Sequence, residues 1–302
     1  MVMHKTNRPE NRKKHKKRRL TMMLTMLFLS VPATALRAEV ISVAVASNFY
    51  QAISVIKQKF ESSSEHRLLI VNGSTGKLYA QIINGAPFDV FMAADSERPQ
   101  KLQRQGLTLG DSRFTYAIGQ LVLWCPAIER ARCNPSILTD SKVRKVALAN
   151  PKLAPYGKAA MQLIGSYSAQ SREKKSGSEA FESIKSKLVF GQNVSQAYHL
   201  VASGSAEVGF VALSLLEKDS RENKRIEKDS QGNNNHVSPA KNSTYWTPPN
   251  GNHSVIEQQL VVLKNNAAVA EFVRFLQSPA GMEIIRRHGY QTSIPEALSE
   301  DY

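Results

Sequence analysis

Short apolar runs alternate with amphipathic stretches along most of this chain. Val40–Ala46 (VISVAVA) is a β-branched run with the length and composition of a buried strand. It breaks at Ser47-Asn48 into a stretch that sets Phe49, Ala52, Ile53, Ile56 and Phe60 on one side, the spacing of a helix packed on a core. Leu68–Val71 is a second strand, ending in Asn72-Gly73-Ser74-Thr75-Gly76, and the helix after it carries Leu78, Tyr79, Ile82 and Ile83 as its apolar positions. Val90–Ala93, Gln120–Trp124, Val146–Leu148, Val208–Val211 and Gln259–Leu263 are further strands, with helices over 157–165, 194–203 and 267–276. This alternation predicts an α/β protein whose helices cover mostly parallel sheets. Two stretches depart from it. Ser166–Ser178 is polar and reads as a loop leading into a helix near Glu179–Lys187. Glu217–Thr244, with Asn233-Asn234-Asn235 inside it, has too little apolar surface to offset the entropy of ordering it and reads as a solvated insertion.

The first 38 residues follow a different rule. Lys5–Arg19 is basic, Leu20–Val31 is apolar but too short to span a bilayer, and Ala33-Thr34-Ala35 fits a cleavage site, with Ala38 as a second. Residues 1–38 therefore read as a signal peptide, and Arg18-Arg19 matches a twin-arginine motif poorly. This leader also changes the meaning of the formal charge of +15, because it holds ten Lys/Arg against one acid. The remainder of the chain is only mildly basic, so the expectation is no nucleic-acid partner. The composition, 42% hydrophobic over 302 residues, is that of a globular protein with one or two domains. Cys125 and Cys133, the two cysteines, fit one disulfide closing a small surface loop in an exported chain, or two packed thiols.

The candidate chemistry sits where strands hand over to helices: Ser47-Asn48, Ser74-Thr75, Pro155-Tyr156-Gly157 and Asn193-Val194-Ser195. Each helix start leaves N–H donors without internal partners and carries a partial positive charge, so it attracts an anion without a full cation. Other chemistries fit less well. Gly73–Leu78 resembles the end of a phosphate-binding loop but lacks the first glycine and the final hydroxyl residue. No G-x-S-x-G elbow is present, and a secreted hydrolase using Ser47 or Ser74 as nucleophile lacks a recognisable base. The histidines show no metal-site spacing, and Asp89 and Asp95 flank a strand where capping outweighs catalysis.

Six blocks carry a resemblance: Val43–Phe49 (VAVASNF), Gly73–Ile82 (GSTGKLYAQI), Asn84–Asp95 (NGAPFDVFMAAD), Ala149–Gly157 (ANPKLAPYG), Gly191–Ala197 (GQNVSQA) and Glu207–Ser214 (EVGFVALS). In this order, over about residues 39–292, the chain resembles the periplasmic molybdate-binding proteins of ABC importers. The resemblance implies a two-lobed, type II periplasmic binding fold in which each lobe is a mixed sheet covered by helices. Residues 39–119 plus 254–302 would form one lobe and 120–253 the other, with the polar insertion near 217–244 in the second. It further implies a receptor that binds molybdate, and tungstate with it, through Ser47, Asn48, Ser74, Thr75, Tyr156 and the backbone N–H of Val194. These residues touch the oxyanion and none ligates the metal directly. No cofactor and no enzymatic activity are expected, and the implied partner is an ABC permease, served in the periplasm by a monomer. Gln192 stands where the family often has Glu, and the cysteine loop lies outside the shared motifs.

Overall fold

The apolar runs become strands of two sheets. The computed structural model describes residues 1–2, 38–170, 177–216 and 244–292. The signal-peptide reading of residues 1–38 and the insertion near 217–244 thus lie almost wholly outside the described residues, as do residues 293–302 of the first expected lobe. The first sheet contains β1 (Val40–Ala46), β2 (Arg67–Gly73), β3 (Val90–Met92), β4 (Phe114–Gly119) and β10 (Ile256–Val262), in the order β2-β1-β3-β10-β4. The second contains β5 (Leu121–Trp124), β6 (Val146–Ala149), β7 (Leu188–Gly191), β8 (Val208–Ala212) and β9 (Tyr245–Trp246), in the order β7-β6-β8-β5-β9.

The expectation of mostly parallel sheets needs correction, because both are mixed. β1 pairs parallel with β2 and β3, and β6 with β7 and β8, whereas β10 and β5 each run antiparallel to both neighbours. The two reversed strands share one feature. Each is the first strand laid down after the chain changes sheet, through Gly119-Gln120 into β5 and after Trp246 into β10. A strand that arrives without a helical crossover on its own sheet is free to run against the rest.

Helices cover the sheets. A 3-10 turn at Ser47–Phe49 leads into α1 (Tyr50–Ser63), followed by α2 (Thr75–Ile83), α3 (Glu97–Arg104), α4 (Pro155–Gln170), α5 (Gly177–Lys185), α6 (Val194–Ala202), α7 (Ala267–Gln277) and α8 (Pro279–Arg287). The face of α1 that holds Ala52, Ile53, Ile56 and Phe60 is buried, and Phe60 meets Phe272 and Phe275 of α7 edge-on at 5.6 Å. A second core gathers Trp124, Leu148, Ile164, Val201 and Phe210 between the other sheet and its helices.

The loop expected over Ser166–Ser178 is helical as far as Gln170. Ser168 is buried and its hydroxyl donates to the Ile164 carbonyl at 2.8 Å, which hides its polarity inside the helix. Cys125 and Cys133 form a disulfide with their Cα atoms 5.9 Å apart. Both side chains are buried, while Arg130 and Arg132 between them stay exposed.

Candidate functional site

Ser74 opens α2 from an extended conformation (φ −70°, ψ 142°), the usual geometry of a capping residue, yet its hydroxyl caps nothing. The hydroxyl is buried and has no hydrogen-bond partner. Beside it, Thr75 is 1% exposed and its Oγ1 accepts from the Ala94 N–H at 3.2 Å. Ser47 and Asn48, in the 3-10 turn, are also buried. Both amide hydrogens of Asn48 are engaged, donating to Gln258 Oε1 at 2.8 Å and to the Tyr290 hydroxyl at 3.0 Å. Its carbonyl accepts from the hydroxyls of Tyr290 (2.8 Å) and Ser214 (3.3 Å). What Asn48 retains for a ligand is its backbone N–H.

The second sheet supplies the facing starts. A Cβ on Gly157 would fall 2.0 Å from the Ala149 carbonyl oxygen, so only glycine lets α4 begin this close to the end of β6. The buried Tyr156 hydroxyl accepts from Gln258 Nε2 at 3.5 Å, and the first N–H groups of α4 are left without intrahelical acceptors. In α6, the Asn193 side chain caps by accepting from the Gln196 N–H at 2.9 Å. That leaves the N–H groups of Val194 and Ser195 ahead of it without an intrahelical acceptor.

Hydrogen bonds between the two halves bring these starts together. Ser195 Oγ donates to the Ser47 carbonyl at 3.2 Å, and the Gly76 N–H donates to the Leu153 carbonyl at 2.8 Å. Around the rim, Lys77 donates to Gln192, Arg98 to the Lys152 carbonyl at 3.3 Å, and Lys158 pairs with Glu97 at 3.3 Å. The predicted residues therefore fall into two sets: Ser47, Asn48, Ser74 and Thr75 beside the first sheet, and Tyr156 and Val194 beside the second.

Sequence reasoning missed Gln258, Tyr116, Ser214 and Tyr290, the buried polar layer that holds Asn48 and Tyr156. One signal was available: a glutamine pair in the apolar run of β10, where a polar side chain inside needs partners.

The electrostatics suit an anion. Burial pushes the phenols of Tyr116, Tyr156 and Tyr290 well up from the usual tyrosine range, so they remain neutral donors. Burial also raises the Asp95 carboxyl, against the opposing pull of Arg98, which pairs with it directly. Asp89 serves the fold, accepting from the Ser42 N–H at 2.7 Å and facing Lys264 at 3.5 Å. Among the described residues no group of three or more His, Cys, Asp or Glu could hold a metal ion, and no helix is long and apolar enough to cross a membrane.

Two helix-covered mixed sheets, with neutral helix starts facing each other between them, define a two-lobed binding protein. Residues 41–291 match the model of the bacterial extracellular solute-binding proteins, and the chain belongs to that family. It is similar to the molybdate-binding protein ModA of Azotobacter vinelandii, at 35% identity over 90% of this chain and 97% of that one. Similarity to ModA of Rhodobacter capsulatus is equal in identity and covers 90% of this chain and 95% of the relative. The solved Azotobacter vinelandii periplasmic molybdate-binding protein superposes with a TM-score of 0.69 at 32% identity, covering 85% of this chain and all of that one.

Proposed function

We propose that this chain is an extracytoplasmic receptor that captures molybdate, and tungstate with it, between its lobes and delivers it to an ABC permease. The observation that carries the reading is the Ser74 hydroxyl, buried without a partner at the start of α2, next to the buried Thr75. A buried hydroxyl left unpaired costs about 1–3 kcal/mol, a cost that an anion seated against it removes. Ser47, Ser74 and Thr75 contribute hydroxyls from one lobe, and Asn48, Tyr156 and Val194 contribute backbone N–H groups from both. Hydrogen bonds from neutral donors to an ionised acceptor are worth about 1.5–3 kcal/mol each, and several together reach micromolar affinity or better.

The Azotobacter vinelandii and Rhodobacter capsulatus relatives, both molybdate-binding by name, support this ligand, and the matched length supports the same use of both lobes. Residues 39–119 with 254–302 form one lobe in this reading, 120–253 the other, and residues 1–38 direct export to the periplasm. The receptor works as a monomer, without cofactor and without catalysis. Selectivity against sulfate rests on cavity size and fixed donor spacing, since the two oxyanions are alike in charge and shape. Calorimetric titration of the exported form with molybdate, tungstate, sulfate and phosphate tests the reading. One-to-one heats with the first two alone are expected; a preference for sulfate or phosphate, or silence with all four, overturns it.

A further inference from the structure

Gln258 belongs to none of the six ligand-associated sequence blocks, yet it lies under both halves of the site. It is fully buried. Its carbonyl oxygen accepts from Asn48 Nδ2 at 2.8 Å and from the Tyr116 hydroxyl at 3.2 Å, and its amide nitrogen reaches the Tyr156 hydroxyl at 3.5 Å. Asn48 lies in the 3-10 turn that leads into α1 in one lobe, and Tyr156 stands at the start of α4 in the other.

The backbone is bent to make this possible. Gln258 pairs with Ala117 and Gln259 with Thr115, so the ladder between β10 and β4 skips Tyr116. A bulge of this kind re-aims side chains beside a site. Here Gln259 and Thr115 bond to each other at 3.2 Å, while Tyr116 turns its hydroxyl onto Gln258. A further constraint comes from Gly119, at the crossover into β5, where a Cβ would lie 2.7 Å from Gln258 Nε2. The carboxamide is thus fixed from three sides, with one end committed to each lobe.

We infer that Gln258 is a positioning residue for ligand capture: its carboxamide transmits the orientation of Asn48 in one lobe to Tyr156 in the other and so sets the spacing of the facing helix starts. The inference rests on the oxyanion-receptor reading and adds a specific residue to it. An amide suits this place because it accepts and donates at once without charge. A carboxylate of the same shape could accept from the neutral phenols of Tyr116, Tyr156 and Tyr290, but it would place a buried negative charge beside a bound dianion, with Asp95 beyond Tyr116.

The test compares wild type, Gln258→Leu and Gln258→Glu by calorimetry with molybdate between about pH 5 and about pH 8, with circular dichroism to verify folding. Gln258→Leu keeps the volume and removes all three bonds, and its affinity is expected to fall about tenfold to a hundredfold. Gln258→Glu keeps the shape even where the leucine variant folds poorly. Burial raises the new carboxyl, so the protonated form at low pH binds nearly as wild type does, and affinity falls as pH rises and charge appears. A purely structural glutamine would lower thermal stability in both variants and leave the pH profile of binding parallel to wild type, which would overturn the inference. Leucine and glutamate variants that bind as tightly as wild type at every pH would overturn it too, with the receptor reading intact. Wild-type protein that binds no molybdate would overturn both.

Discussion

The Tyr156 hydroxyl lies where a side chain on Gly119 would have to be: a Cβ built there meets the hydroxyl oxygen at 2.1 Å. Gly119 is the last residue of β4 before the chain crosses to the second sheet, and Tyr156 stands in the first turn of a helix on that sheet. A residue beside the proposed ligand therefore also touches the crossover.

Gly119→Ala should destabilise the protein by about 1–3 kcal/mol through overpacking. Tyr156→Phe in the same chain should recover part of that loss, because it removes the oxygen that the methyl group strikes. Denaturant unfolding of the two single variants and the double variant reads the coupling; strictly additive losses would mean the two side chains do not compete for this space.

Ser74→Ala and Thr75→Val should separate binding from stability. Ser74 has no hydrogen bond to lose, so its replacement leaves thermal stability unchanged or raised while weakening oxyanion binding by about 1–3 kcal/mol. Thr75→Val strands the buried Ala94 N–H, so it lowers both stability and affinity, and Thr75→Ser restores the bond. Thermal melts alongside calorimetry distinguish the two patterns.

Replacing both cysteines by alanine should cost about 2–3 kcal/mol, the chain-entropy estimate for a bridge closing a separation of 8 residues. Affinity should hold, because the bridge lies at the end of β5 remote from Gly119. Urea midpoints with and without reductant measure the cost.

Glu207 sets one limb of the acid response. Burial pushes its carboxyl up, but backbone N–H groups, Lys145 and Arg144 among them, and the Arg144 side chain outweigh this and hold it below the usual glutamate range. A depressed folded value means the stabilisation is full above the unfolded value near 4.3 and is lost as pH falls through the folded one. Glu207→Gln should be less stable than wild type at neutral pH, and the gap should close on acidification. Unfolding midpoints from neutral pH down through the carboxylate range check the sign.

The strands and helix faces were legible wherever burial imposes a period. Val40–Ala46 and the Ala52, Ile53, Ile56, Phe60 face announce themselves because one side of each element must be apolar. β9, at two residues, is too short to show any period, β7 buries only Gly191, and the polar surface of α3 hides a helix that buries only Pro99 and Leu102. At the site, the helix starts could be read because capping residues and glycines are local signals. The layer beneath them could not. Asn48 meets Gln258 and Tyr290 across 210 and 242 positions, and nothing in the neighbourhood of a glutamine in a strand says which distant amide it will meet.

The order β2-β1-β3-β10-β4 has a consequence for how the molecule comes into being. The strand at Ile256–Val262 lies between strands made from residues 90–92 and 114–119, so the first sheet stays split until the chain is nearly all present. The second sheet draws every strand from Leu121–Trp246 and can assemble on its own. Pairings this distant in sequence form late and slowly. A chain emerging from its N-terminus thus completes its middle before its beginning. The half that emerges first is also the half whose sheet stays open longest.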